Sequence, residues 1–161
     1  MFKTIIWATD GSDLADAALP YVEGLAETHR SRIVAVHARQ TFHGGRSHGD
    51  PVLADDDELV EHIKGSVEEL QARGLTAELS VRSGVDIDAA HMIVAAAKER
   101  SADLIVAGTH GRGGPSSAIF GSVARELLHL ATCPVLVVPP GTKADAAAES
   151  APAAMQEVSS A

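Results

Sequence analysis

The sequence predicts an α/β domain: a single doubly wound, five-stranded parallel sheet with helices on both faces. Three observations carry that expectation. Short runs of apolar and β-branched residues recur at Thr4–Thr9, Arg32–Ala38, Thr76–Arg82, Asp103–Ala107 and Pro134–Pro139. All but the third are nearly continuous in hydrophobicity, as strands covered on both faces are. Stretches with apolar residues at helical spacing separate them, so the order reads β-α-β-α-β-α-β-α-β, with right-handed crossovers.

Each element has a local reason. Thr4-Ile5-Ile6-Trp7-Ala8-Thr9 is compact and β-branched, which suits a pleated, buried strand. Asp10-Gly11-Ser12-Asp13 then supplies a turn and cap residues. A helix is expected from about Asp13 to His29, with Ala17, Ala18, Tyr21, Val22, Leu25 and Ala26 as its apolar stripe. Pro20 lies inside that span and should bend it, because proline lacks the amide hydrogen. Arg32 to Ala38 is the second strand. Arg39 to Asp57 breaks the pattern with Gly44, Gly45, Gly49, Pro51 and three consecutive aspartates, and reads as a long polar connection. His43 and His48 within it match no ligand spacing and read as a solvated loop.

The next helix, about Asp57 to Arg73, places Leu59, Ile63, Val67 and Leu70 on one face and stops at Gly74. Thr76 to Arg82 alternates apolar and polar residues, the mark of a half-exposed edge strand. Ser83-Gly84 reads as a turn, and Asp86 to Arg100 as a helix with Ile87, Ala90, His91, Val94 and Ala97 near one face. His91 there reads as a packed or half-exposed histidine rather than a ligand. The last helix is expected from about Ser122 to Ala131, capped by Ser122, with Val123, Leu127 and Leu128 on one face. Pro139-Pro140 ends the fifth strand. Residues 141–161 shift to Ala, Glu, Ser and Pro and read as a disordered tail beyond a domain of residues 1–140.

At 161 residues the chain is long enough for one domain with a real core. Aromatics make up only 3%, so that core should be aliphatic. Lys plus Arg number 13 against 22 Asp plus Glu, a net charge of −9, which argues against a general nucleic-acid or anionic-membrane surface. It leaves room for one nucleotide held by backbone amides. The lone Cys133 rules out an intrachain disulfide and reads as a small buried hydrophobe. No leader is expected at the start of the chain, and no apolar stretch approaches the ~20 residues of a membrane span. A cytoplasmic protein is the expectation.

The half-polar third strand belongs at an edge, and order 3-2-1-4-5 is the simplest winding that puts it there. Pattern alone leaves other orders open. In that order the first and fourth strands are neighbours where the connections diverge, the place such sheets bind ligands. The first strand leads to Asp10. The fourth leads to Gly108-Thr109-His110-Gly111-Arg112-Gly113-Gly114, and a helix start follows at Gly121-Ser122. A strand, a glycine-rich loop and a helix start suit an anion, because glycine admits close backbone approach and the first helical amides lack partners. No Gly-Lys-Ser/Thr of a P-loop occurs, and the third glycine of the dinucleotide fingerprint would fall at Ser116. Taken singly, Ser122 is an ordinary cap, Asp10 a turn residue and Arg112 a solvated charge.

The spacing Gly108, two residues, Gly111, nine residues, Gly121-Ser122 resembles the nucleotide loop of the universal stress protein family, in its ATP-binding branch. Ala8-Thr9-Asp10-Gly11-Ser12, Ala35-Val36-His37-Ala38, Ala102 to Gly113 and Cys133 to Val138 are similar to other signatures of that family. The likeness spans residues 3 to 139. Pro20 and Val85-Asp86, where the family often has a proline, depart from it.

The resemblance implies an adenine nucleotide alpha hydrolase-like fold binding ATP, with Mg²⁺ on the phosphates and Asp10 as a candidate metal ligand. It implies that Ala8 and Asp10 lie against the nucleoside and that Ala38 flanks adenine. Gly108, Gly111, Arg112 and Gly113 would wrap the phosphates. Gly121, Ser122 and Val123 would face the terminal ones. It also implies a stress-response regulator rather than an enzyme, and a homodimer paired through Val135, Leu136, Val137 and Val138, an apolar edge that invites pairing. Slow ATP hydrolysis, a cyclic AMP or AMP sensor, and an interaction module with an empty pocket are the competing readings.

Overall fold

The computed structural model describes residues 1–41, 53–111 and 120–142. Five parallel strands form one sheet: β1 (Thr4–Ala8), β2 (Arg32–Thr41), β3 (Thr76–Val85), β4 (Leu104–Gly108) and β5 (Val135–Val138). Their order is β3-β2-β1-β4-β5, as the winding argument anticipates. Ile6 of β1 sits in register with Val34 on one side and Ile105 on the other.

Period-two alternation divides the core between the two faces of the sheet. Ile5, Trp7, Ile33, Ala35 and Val106 pack with Val22 and Ala26 of α2 (Leu19–His29) and with Ile63, Val67 and Leu70 of α3 (Leu53–Ala72). Ile6, Val34, Val36, Ile105 and Ala107 face Ile93, Val94 and Ala97 of α4 (Ala89–Glu99) and Leu127 of α5 (Ser122–Leu130). Both sheet faces are therefore covered. Asp103, just before β4, accepts hydrogen bonds from the amides of Thr4 (2.9 Å) and Lys3 (2.6 Å) and so ties down the start of β1. Those two bonds hold its carboxyl below the usual carboxylate range.

Several boundaries differ from expectation, each for a local reason. The first helix is two: α1 (Asp13–Asp16), capped by the Ser12 hydroxyl, and then α2. Pro20 does not bend a long helix. It falls in the first turn of α2, where a missing amide hydrogen costs nothing. Ser83-Gly84 is not a turn but part of β3, which pairs with an extended β2 as far as Thr41–Val85. Gly84 is needed there, since a Cβ would come within 2.9 Å of the Met92 sulfur and 3.0 Å of Ile87 Cβ. Asp86 has φ +54°, a left-handed bend, so α4 begins only at Ala89. Ile87 and His91 are consequently exposed, and the buried stripe is Ala90, Ile93, Val94 and Ala97.

Helix α3 starts at Leu53 rather than near Asp57. Helix α5 turns Leu127 inward and leaves Leu128 exposed. Cys133 is half-buried against the face that carries α4 and α5, and burial is the main cause that pushes its thiol up. His43, His48 and the rest of residues 42–52 lie outside the described residues, as do 143–161 of the expected tail. No helix among the described residues is long and apolar enough to cross a membrane.

Candidate functional site

At the carboxyl ends of β1 and β4 the chain turns to opposite faces of the sheet, and a cavity of about 390 Å³ opens between the two connections. The β1 connection is fixed from several sides. Thr9 donates its amide to Val36 O (3.1 Å) and accepts at Oγ1 from the Gly11 amide (3.1 Å). His37, fully buried midway along β2, places Nδ1 3.2 Å from Thr9 O. A carbonyl only accepts, so Nδ1 carries the proton and the ring is oriented by that bond. Asp10 follows, its Oδ1 accepting from the Ser12 amide (3.1 Å) and hydroxyl (2.6 Å). The carboxylate is thereby held at the cavity wall.

Two bonds position the β4 connection. The Thr109 amide donates to Val138 O of β5 (2.9 Å), and Thr109 O accepts from the Gly121 amide (2.8 Å). The second bond draws the start of α5 against the end of β4, although residues 110–120 separate Thr109 from Gly121 in sequence. Gly108 lets α1 approach, since a Cβ there would lie 2.8 Å from Leu14 O and 3.2 Å from Ala15 Cα. Gly111 stands against Asp10 so closely that a Cβ would lie 2.1 Å from Oδ2. Gly121, not Ser122, is the N-cap of α5, and no side chain caps that helix. Ser122 is its first helical residue. Helical bonding begins with the Arg125 amide on Gly121 O, so earlier first-turn amides have no partner inside the helix.

Of the residues singled out from sequence, Ala8, Asp10, Ala38, Gly108, Gly111, Gly121, Ser122 and Val123 all line this one cavity. Arg112 and Gly113 lie outside the described residues. The cavity also takes in residues that the sequence does not single out: Thr9, Ala15, Gln40, Ala89, Ile93, Ala107, Thr109, His110 and Ala124. Ile93 lies outside the helix face expected from sequence, and the shift of α4's buried stripe brings it to the cavity. Gln40 depends on β2 continuing beyond Ala38, and its Nε2 donates to Ile87 O (3.2 Å).

The lining has two characters. Ala8, Ala38, Ala89 and Ile93 make an apolar wall suited to a flat ring. Asp10, the glycine backbone at 108 and 111, and the uncapped start of α5 make a polar end. An anion there would meet peptide amides and the positive end of the helix dipole. The cradle at Gly111 and Gly121, where a Cβ would meet Asp10 or Thr109 O, fits a phosphate chain approached by bare backbone.

A sequence model of the universal stress protein family matches residues 1–139. A universal stress protein from Thermus aquaticus is 34% identical over 146 residues, covering 86% of this chain and 99% of that protein. Among solved structures, a universal stress protein family member from Burkholderia pseudomallei is 32% identical. It superposes with a TM-score of 0.63 over 85% of this chain and 96% of that one. A universal stress protein from Archaeoglobus fulgidus, solved in complex with dAMP, is 25% identical. Its TM-score is 0.62, over 86% of this chain and 98% of that one.

Proposed function

The chain belongs to the universal stress protein family, and from that we propose that it binds ATP in the β1–β4 cavity and acts as a nucleotide-dependent regulator. One observation carries the reading. The glycine connection after β4 and the uncapped start of α5 meet around one hollow that Asp10 also lines. Adenine would lie along the apolar wall with Ala38, and Ala8 and Asp10 would sit against the nucleoside. Gly108, Gly111, Arg112 and Gly113 would wrap the phosphates, and Gly121, Ser122 and Val123 would meet the terminal ones. Mg²⁺ would neutralise phosphate charge, with Asp10 the carboxylate at hand to hold it. The Archaeoglobus relative's dAMP supports an adenine nucleotide as the ligand class.

The domain that does this is residues 1–140, with 141–161 as a tail. The lone cysteine suits a reducing cytoplasm. A regulator fits better than an enzyme. The described residues lining the cavity include one carboxylate and no lysine, a sparse set for phosphoryl transfer. Binding would shift a conformational or assembly equilibrium only as far as ATP prefers one state.

Calorimetric titration of the nucleotide-free chain tests the ligand. MgATP is expected to bind at least ~10-fold, or about 1.4 kcal/mol, more tightly than AMP or cyclic AMP, because only ATP reaches the start of α5. Equal affinity for all three would favour the cyclic AMP or AMP sensor, and no binding by any would reject the site.

The assembly we propose is a homodimer through β5. That strand lies at the sheet edge, and Val135, Leu136 and Val137 remain half-buried in the single chain. A lysine at an edge opposes pairing. Val137→Lys should therefore sediment as a monomer under conditions where the parent chain is a dimer. A dimer that survives the change places the interface elsewhere.

A further inference from the structure

We propose that Asp88, His91 and Glu126 form a binding site for a divalent transition-metal cation of the zinc class, bridging α4 and α5 outside the nucleotide cavity. Asp88 is the N-cap residue of α4 and His91 follows three positions later, so both lie on one side of its first turn. Glu126 comes from the facing helix α5. One ligand atom from each lies within 4.8 Å of the other two. Around a tetrahedral ion with bonds of ~2.1 Å, ligand atoms stand ~3.4 Å apart, within an ångström or so of the separation found here. Small side-chain rotations therefore close the set.

A second observation comes from the cap. Aspartate at an N-cap ordinarily accepts a hydrogen bond from the first-turn amides. Asp88 has the extended backbone of a cap (φ −67°, ψ 145°), yet its side chain makes no capping bond. Among the described residues, none of the three side chains has a hydrogen bond or ion pair. Two carboxylates are thus gathered beside an imidazole, and among the described residues no lysine or arginine pairs with any of the three, so their combined charge favours a cation between them.

The donor set indicates which ion. Carboxylates alone favour magnesium or calcium, whereas an imidazole shifts preference toward zinc, cobalt and nickel. Three protein ligands leave one position for water in a tetrahedral site. Asp88 and His91 are exposed and Glu126 half-buried, so an ion has open access.

The test is calorimetric titration of the full chain, free of nucleotide, with Zn²⁺, together with the visible absorption of bound Co²⁺. Because no nucleotide is present, the result stands apart from the ATP reading. One equivalent is expected to bind, with His91→Ala and Glu126→Gln each weakening it at least ~10-fold and dimming the Co²⁺ bands. The double change His43→Ala with His48→Ala should leave affinity unaltered. The ligand residues are at the surface, so these variants should fold, and far-UV circular dichroism checks that. No saturable binding, equal affinity in His91→Ala, or loss in the His43/His48 variant would each overturn the site.

Discussion

Replacing Gly111 with valine is expected to weaken adenine-nucleotide binding by ~100-fold, about 2.7 kcal/mol, while the sheet stays folded. A Cβ at that position would lie 2.1 Å from Asp10 Oδ2 and 3.0 Å from Asp10 Cγ. Separations that short are not sustained, so one partner must move. If Asp10 rotates, it gives up its bonds to the Ser12 amide and hydroxyl, the contacts that fix it at the cavity wall. If residues 109–111 withdraw instead, the backbone that would meet the phosphates withdraws with them. Either response damages the site, whereas β4 ends at Gly108 and its core residues are untouched. Gly24→Ala is the matched control. It lies within α2 with nothing within 4 Å of the added Cβ, and should leave affinity unchanged. Titration with MgATP, beside far-UV circular dichroism, checks both. Full affinity in Gly111→Val would mean that the Asp10–Gly111 contact is no part of a nucleotide site.

The largest loss of stability is expected from Trp7→Ala, about 3–5 kcal/mol. Trp7 is fully buried on the central strand, packed between the sheet and the face covered by α2 and α3. Truncation removes the largest buried side chain and leaves a cavity that strands paired on both sides cannot collapse to fill. A typical domain has only about 5–15 kcal/mol of net stability, so this one change takes a large share. Trp7→Phe should cost much less. The indole Nε1 is buried with no hydrogen-bond partner, and removing such an orphan donor recovers part of the ~1–3 kcal/mol its burial costs. Urea unfolding followed by far-UV circular dichroism, which needs no tryptophan signal, measures all three chains. Equal losses in the two variants would show that ring shape, rather than volume, governs this part of the core.

The core was legible because its rule is local. Ile5 and Trp7 face one way and Ile6 and Ala8 the other, and that alternation is written in consecutive residues. The stripe Ile63, Val67 and Leu70 is likewise short-range, as is the half-polar pattern that sends β3 to the edge. The structure departs from local expectation where two local preferences compete. Proline is a helix breaker in a helix interior and harmless in a first turn, and only the break at Ala17-Ala18 decides which applies to Pro20. Ser and Gly are turn formers, yet Ser83 and Gly84 stay in β3 because an extended β2 offers them partners. Ser122 and Gly121 can each cap a helix, and the bond from the Gly121 amide to Thr109 O settles it for the glycine.

By itself, then, the sequence determined the strands and helices of the sheet and the edge place of its third strand, while it left the full strand order open and carried the family resemblance separately, in its motifs. The elements follow from periodicity and backbone preference over a few neighbouring positions. Tertiary structure alone decided what touches what across the chain: Asp10 against Gly111, Thr109 against Gly121, Gln40 and Ile93 in the cavity wall, and His91 beside Glu126. The reason is that side-chain chemistry is short-ranged in space but not in sequence. Partners tens of residues apart meet only once the strands have fixed which connections become neighbours.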